Sequence, residues 1–175
     1  MKGQKMDGSI QVYYGNGRGK TTAALGLGIR AAGVGKQVIM VQFLKKKHSD
    51  TLDFLKKLEP ELQIFRFEKA ACGYSDLSPK EKQEQMLNIK NALGYSRKVL
   101  DTGQCDLLIL DEIFGLVDYN IITIEELMDL IAVKKDSMDL ILTGRNLPDE
   151  VREIADCVYS IQREKEKTPE ILAQG

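Results

Sequence analysis

No tryptophan occurs in this sequence, and histidine occurs once, as His48. His48 lies in the charged run Lys45-Lys46-Lys47-His48-Ser49-Asp50, which reads as a solvated loop. A Ser-His-Asp hydrolase site is therefore disfavoured, since no other residue can supply its imidazole base. Cysteine is scarce as well. Cys72, Cys105 and Cys157 lie far apart, are odd in number, and lack the paired spacing of a zinc site. They read as reduced thiols, which points to a cytoplasmic chain. The longest apolar runs are only strand-length, so no membrane partner is expected. The first eight residues are polar and lack an apolar signal core. Charge of either sign is not in excess: 25 Lys and Arg face 26 Asp and Glu. Nothing in that balance suggests nucleic acid as a partner.

What the chain does have is one glycine-rich stretch, Gly15-Asn16-Gly17-Arg18-Gly19-Lys20-Thr21-Thr22. The apolar run Ile10-Gln11-Val12-Tyr13-Tyr14 precedes it, and the helical run Ala23-Ala24-Leu25-Gly26-Leu27 follows. Strand, glycine loop and helix in that order make a polyphosphate site. Glycines let successive N–H groups face one anion, the helix start adds positive potential, and a lysine adds a full charge. The usual spacing is G-x-x-x-x-G-K-[ST], which would put the first glycine at Tyr14. It comes at Gly15, so the loop is one residue short or belongs to a variant class.

At 175 residues, with 43% hydrophobic and 29% charged, the chain reads as one globular domain. Residues 1–8 read as a mobile arm, 9–161 as a single α/β domain, and 162–175 as a charged, partly disordered tail. Strands are expected near residues 9–14, 38–43, 63–67, 107–110, 138–143 and 157–161. A first helix is expected over 20–32, stopped by a left-handed glycine within Gly33-Val34-Gly35. Residues 51–58 read as a second helix ended by Pro60. Ser78-Pro79-Lys80-Glu81 is a helix start, with Ser as N-cap, Pro in the first turn and Glu at the third position. That helix is expected to run to about Leu100, burying Met86, Ile89, Leu93 and Leu100, with Gly94 as its weak point. Residues 123–133 and 148–155 complete the helices. Strands alternating with helices predict a three-layer α/β/α sandwich around a mostly parallel sheet.

The second informative stretch is Asp106-Leu107-Leu108-Ile109-Leu110-Asp111-Glu112. Two carboxylates follow four aliphatic residues, at the strand end where open parallel sheets bind ligands. Alone, the pair reads equally well as a cap and a solvated residue. Beside a phosphate loop it reads as a Mg²⁺ site. Thr21 would contribute its hydroxyl, with Thr22 as a second candidate, and Asp111 or Glu112 a carboxylate, directly or through water. Lys20 and the loop amides would hold phosphate oxygens. Arg18 either adds a charge-assisted contact or stays solvated, and Arg145 either reaches a phosphate or forms a structural ion pair. These residues argue for a Mg–nucleoside triphosphate. They leave open a phosphotransferase or ATPase, an alkyl transferase, and a nucleotide-dependent binding module with an altered second substrate.

Several of these stretches, in order, resemble the P-loop ATP:corrinoid adenosyltransferases. The resemblance is carried by residues 14–26 around the glycine loop, Arg30-Ala31-Ala32-Gly33, Val41-Gln42-Phe43-Leu44-Lys45, Leu110-Asp111-Glu112 and Leu142-Thr143-Gly144-Arg145. The family's own loop has the short G-N-G-[KR]-G-K-T-T form, so the displaced glycine is a match. What the resemblance implies is a P-loop NTPase fold, RecA-like, in which ATP lies reversed in the loop. It also implies transfer of the 5′-deoxyadenosyl group of Mg-ATP to a Co(I) corrinoid, with triphosphate leaving. On that basis Lys20 and Glu112 would be catalytic. Gly15, Asn16, Gly17, Arg18, Gly19, Lys20, Thr21, Thr22 and Arg145 would bind nucleotide, and Thr21, Asp111 and Glu112 would hold Mg²⁺. A homodimer and an electron-donating reductase are also implied. Three segments differ from the family's usual pattern: Ala70–Leu77 has only Tyr74 as an aromatic, Ile113-Phe114-Gly115 follows the carboxylates, and Lys167-Thr168-Pro169 is a reduced C-terminal signature. All three fall on the corrinoid side or the expected lid, residues 68–78.

Overall fold

A computed structural model describes residues 7–44, 55–67 and 74–165. Among the described residues six strands are formed: β1 (Ile10–Tyr14), β2 (Val38–Gln42), β3 (Leu62–Arg66), β4 (Leu107–Asp111), β5 (Asp139–Gly144) and β6 (Cys157–Ser160). The helices are α1 (Lys20–Ala32), α2 (Pro79–Thr102), α3 (Ile113–Asp118), α4 (Ile124–Ala132) and α5 (Asp149–Ile154), and short 3₁₀ turns lie at Lys56–Leu58 and Tyr74–Asp76. The strands make one sheet in the order β3-β2-β4-β5-β1-β6, and every pairing is parallel.

Alternation along the strands divides the core in two. On one face Ala24 of α1 meets Val38, Met40, Leu62, Leu107, Ile109 and Ile141. On the other, Val12, Val41, Leu108, Leu110 and Leu142 join a larger cluster to which α2, α3, α4 and α5 all contribute. β2 and β4 are buried at all five positions, as continuous aliphatic runs require. β6, at the sheet edge, is largely exposed.

The helix starts follow their sequence signals. Ser78 Oγ accepts from Glu81 N–H, and the Glu81 carboxylate accepts from Ser78 N–H at 2.9 Å. Thr123 and Glu126 repeat the arrangement at α4. α2 continues unbroken through Gly94 to Thr102 and stops at Gly103, whose φ is 68°. Its buried positions include Ile89 and Leu100 as expected. Gln85, Ala92, Ser96 and Val99 are buried beside them, while Met86 and Leu93 are only partly covered.

α1 ends at Ala32 as expected, and the left-handed glycine falls within Gly33-Val34-Gly35. Gly33 keeps a right-handed φ of −62°, and the left-handed residue is Gly35 at 86°. The helix winds one further loose turn, in which Lys36 N–H donates to Ala31 O at 3.1 Å. Of the helix expected over 51–58, residues 51–54 lie outside the described residues, and Lys56–Leu58 forms a 3₁₀ turn. α3 was not anticipated. His48, Cys72, Lys167-Thr168-Pro169 and residues 68–73 of the expected lid also lie outside the described residues.

Candidate functional site

The carboxyl ends of the strands form one edge. Register places Arg66 beside Gln42 and Gln42 beside Asp111 on one half of it, and Gly144, Tyr14 and Ser160 abreast on the other. Parallel pairing thus brings both informative stretches to the same edge, although 90 residues separate Thr21 from Asp111.

The glycine loop connects Tyr14 to α1. Gly15 and Gly19 adopt φ of 120° and 116°, where a side chain is strained. Gly15 and Gly17 also face the chain that follows β6. A Cβ on Gly15 would sit 2.4 Å from Ile161 O, and one on Gly17 2.8 Å from the same oxygen. The alternating glycines therefore serve a close backbone approach as well as curvature. Lys20 Nζ donates to Gly15 O at 2.8 Å and to Gly17 O at 3.0 Å, so the lysine spans its own loop.

Beneath α1 lies Asp111, completely buried. Its oxygens are surrounded by donors. Thr21 Oγ1 lies 2.9 and 3.1 Å from the two of them, Thr143 Oγ1 donates to Oδ1 at 2.7 Å, and Gln42 Nε2 donates to Oδ2 at 2.9 Å. Arg66 Nε in turn donates to Gln42 Oε1 at 2.7 Å, and Glu112 N–H to Thr143 Oγ1 at 2.8 Å. Such saturation lets a carboxylate exist without water. Burial lowers the pKa of the Arg66 guanidinium, and the nearby Asp111 carboxylate works against that shift. Thr21 gives its hydroxyl hydrogen to Asp111, which fixes the direction of that hydroxyl.

Glu112 is held differently. It sits at φ 65°, left-handed for a non-glycine residue, between β4 and α3. From there it lines a cleft of about 410 Å³ together with Gly15, Asn16, Lys20, Arg145 and Arg163. Of the sequence-derived site residues, Gly15, Asn16, Lys20, Glu112 and Arg145 meet at this cleft, and the bonded pair Thr21 and Asp111 adjoins it only through the chain neighbours Lys20 and Glu112. Gly17 is covered by Ile161, and Thr22 is exposed on the first turn of α1. Arg18 borders a neighbouring hollow with Gln162, Arg163, Glu164 and Lys165. Asp111 does not line the cleft; it is buried and bonded to Thr21.

Four residues at or behind the site are not among those expected from the sequence: Gln42, Arg66, Thr143 and Arg163. Gln42 and Thr143 carry a usable signal, since each is a polar residue near the end of an apolar strand at the edge where the loop opens. Arg66 ends an alternating strand and Arg163 lay in the stretch read as a tail, so neither stood out. Ile113, Phe114 and Gly115, one of the segments that differ from the family's usual pattern, are all buried, and Ile113 and Phe114 belong to the larger core. The thiols divide likewise. Cys105 is buried, and burial pushes its pKa up to about 12, while Cys157 is exposed.

Residues 6–174 match the family profile described as ATP:corrinoid adenosyltransferase BtuR/CobO/CobP. A corrinoid adenosyltransferase of Escherichia coli K12 is 30% identical over 155 residues, covering 89% of this chain and 76% of that protein. The corrinoid adenosyltransferase CobA of Salmonella typhimurium LT2 is 30% identical over 159 residues, covering 91% and 79%. Among solved structures, the KaiC-like protein PH0186 of Pyrococcus horikoshii OT3 superposes with a TM-score of 0.59 at 19% identity, covering 92% of this chain and 75% of that one. That likeness supports the P-loop α/β fold alone. The family profile, which spans nearly the whole chain, and the two enterobacterial relatives go further: this protein belongs to the ATP:corrinoid adenosyltransferase family.

Proposed function

We propose that this protein transfers the 5′-deoxyadenosyl group of Mg-ATP to a Co(I) corrinoid and releases triphosphate. The observation that carries the reading is the cleft itself. There Lys20, Arg145 and Glu112 converge on the glycine loop, and the chain neighbours of Lys20 and Glu112 are the bonded pair Thr21 and Asp111. In the reaction the cobalt electron pair forms a Co–C5′ bond. The C5′–O bond breaks, and its electron pair leaves on the triphosphate. The protein's task is to hold ATP in line for that displacement and to stabilise charge growing on the departing group.

Loop amides and Lys20 hold the triphosphate, with Lys20 exchanging the carbonyls of Gly15 and Gly17 for phosphate oxygens. The donors at the site suit Mg²⁺, because they are all oxygen: the Thr21 hydroxyl, the Glu112 carboxylate and, behind Thr21, the Asp111 carboxylate. Among the described residues no group of three or more His, Cys, Asp or Glu could cage a metal. The site thus relies on phosphate oxygens and water for most ligands, as Mg²⁺ commonly does. The bound ion would offset phosphate charge. In this reading Glu112 contacts the ion from the cleft, and Asp111 acts through Thr21 by fixing which way its hydroxyl points.

The same reading takes residues 9–161 as one domain between a short arm, 1–8, and a charged tail, 162–175. It also includes a homodimer, a reductase that supplies Co(I), and a cytoplasmic location. No described helix is long and apolar enough to cross a membrane. The direct test supplies Mg-ATP with chemically reduced cob(I)alamin and identifies the products. An adenosylated corrinoid with stoichiometric triphosphate is expected. ADP or orthophosphate as the nucleotide-derived product would overturn the reading.

A further inference from the structure

Residues 161–165 leave β6 and run beside the glycine loop. Three hydrogen bonds strap the two segments together. Ile161 N–H donates to Tyr14 O at 2.7 Å, Gly17 N–H to Ile161 O at 2.9 Å, and Arg163 N–H to Asn16 Oδ1 at 3.3 Å. The fit is close enough to exclude a Cβ at both Gly15 and Gly17. Arg163 consequently stands between two hollows. One is the cleft it shares with Lys20, Glu112 and Arg145. The other, of about 490 Å³, is bordered by Arg18, Glu164 and Lys165.

We propose that Arg163 is a phosphate-binding residue of the cleft, supplied by the strap after β6, and that it holds the anion that becomes triphosphate. This rests on the adenosyl-transfer reading. When the C5′–O bond breaks, its electron pair adds one unit of negative charge to the leaving group, so cations already in place favour the step. The cleft offers three, Lys20, Arg145 and Arg163, against the single carboxylate of Glu112. Arg163 differs from an arginine on a free tail because its backbone is already fixed to Asn16, so binding orders fewer bonds. Its planar fork also suits two phosphate oxygens at once, which an ammonium cannot match.

The test measures binding of inorganic tripolyphosphate and of ATP, each with Mg²⁺, to the full chain by calorimetry. Wild type is compared with Arg163→Ala, Arg163→Lys and Lys165→Ala. Arg163→Ala is expected to weaken tripolyphosphate binding about tenfold or more, the usual scale for a hydrogen bond to a charged group. Arg163→Lys should recover part of the loss, and Lys165→Ala should stay within about twofold, as for an exposed charge. In turnover, Arg163→Ala should lower kcat more than it raises the KM for ATP, because the contact strengthens as charge builds. Unchanged tripolyphosphate binding in Arg163→Ala would overturn the inference and leave the adenosyl-transfer reading standing. Equal losses in Arg163→Ala and Lys165→Ala would also overturn it, by showing a general field in place of a contact. A wild-type protein that bound neither ligand would overturn the phosphate-loop premise and this inference together. If the alanine variant melts early, the lysine variant keeps the same readout with the charge retained.

Discussion

Two halves of the same sheet edge build their part of the site by opposite means. At the glycine loop, shape comes from missing side chains. Gly15 and Gly17 admit Ile161 at distances that no Cβ tolerates, and the contacts are mostly backbone. At Asp111, shape comes from side chains alone. Thr21, Gln42 and Thr143 arrive from α1, β2 and β5 to saturate one buried carboxylate. The first half depends on local sequence and the second on strand register. A loop of that kind fails by crowding, whereas a network fails by leaving a polar group unpaired.

The largest effect expected from breaking this contrast is at Asp111. Asp111→Asn preserves shape but turns an acceptor into an amide donor facing three donors. A loss of about 3 kcal/mol or more is expected, as for a buried charge network that loses one partner. Urea unfolding checks this, and a loss under about 1 kcal/mol would mean that the network is slack. Next comes the loop. Gly15→Ala meets Ile161 O and a φ of 120° together, with an expected cost of about 1–3 kcal/mol and a loss of ATP binding larger than the loss of stability. If its ATP affinity proves normal, the loop does not need the strap approach seen here. Smaller still, Thr143→Val removes a donor to Asp111 and the acceptor of Glu112 N–H, costing about 1–2 kcal/mol. A Thr143→Ser variant should recover most of it, and if it does not, the hydroxyl is not the group that matters. The smallest effect concerns the thiols. Cys157 should react with a thiol reagent in the native protein at pH 8, whereas Cys105, whose pKa is pushed up to about 12, should react only on unfolding. Mass mapping of the labelled peptides decides it.

The same contrast explains what could be read in advance. The glycine loop, the aliphatic strands and the start of α2 are local signals, and their chemistry is written in adjacent residues. Gln42 and Thr143 are not local in that sense. Each is an ordinary polar residue until parallel pairing sets Gln42 beside Asp111 and brings the Thr143 hydroxyl to the same carboxylate. The helix α3 was missed because Glu112 precedes it in a left-handed conformation without a side-chain cap, and because its six residues are too few for a periodic stripe. The stop of α1 was legible to the residue, but either Gly33 or Gly35 can take the left-handed turn and only the backbone shows that Gly35 does. Arg163 was hidden for a different reason. It lies in the charged stretch 162–175, and composition does not reveal that Gln162 and Arg163 lie against the loop.

That strap has a consequence for how the molecule breathes. It continues directly from β6, a four-residue edge strand with one neighbour, reinforced by the stacked rings of Tyr13 and Tyr159 at 4.8 Å. Edge strands with little buried surface open first, well below the free energy of global unfolding. Each time β6 frays, the loop loses the carbonyl that receives Gly17 N–H. An anion bound at the loop must therefore slow amide exchange in β6, a strand it never touches, by the mass-action weight of the closed form.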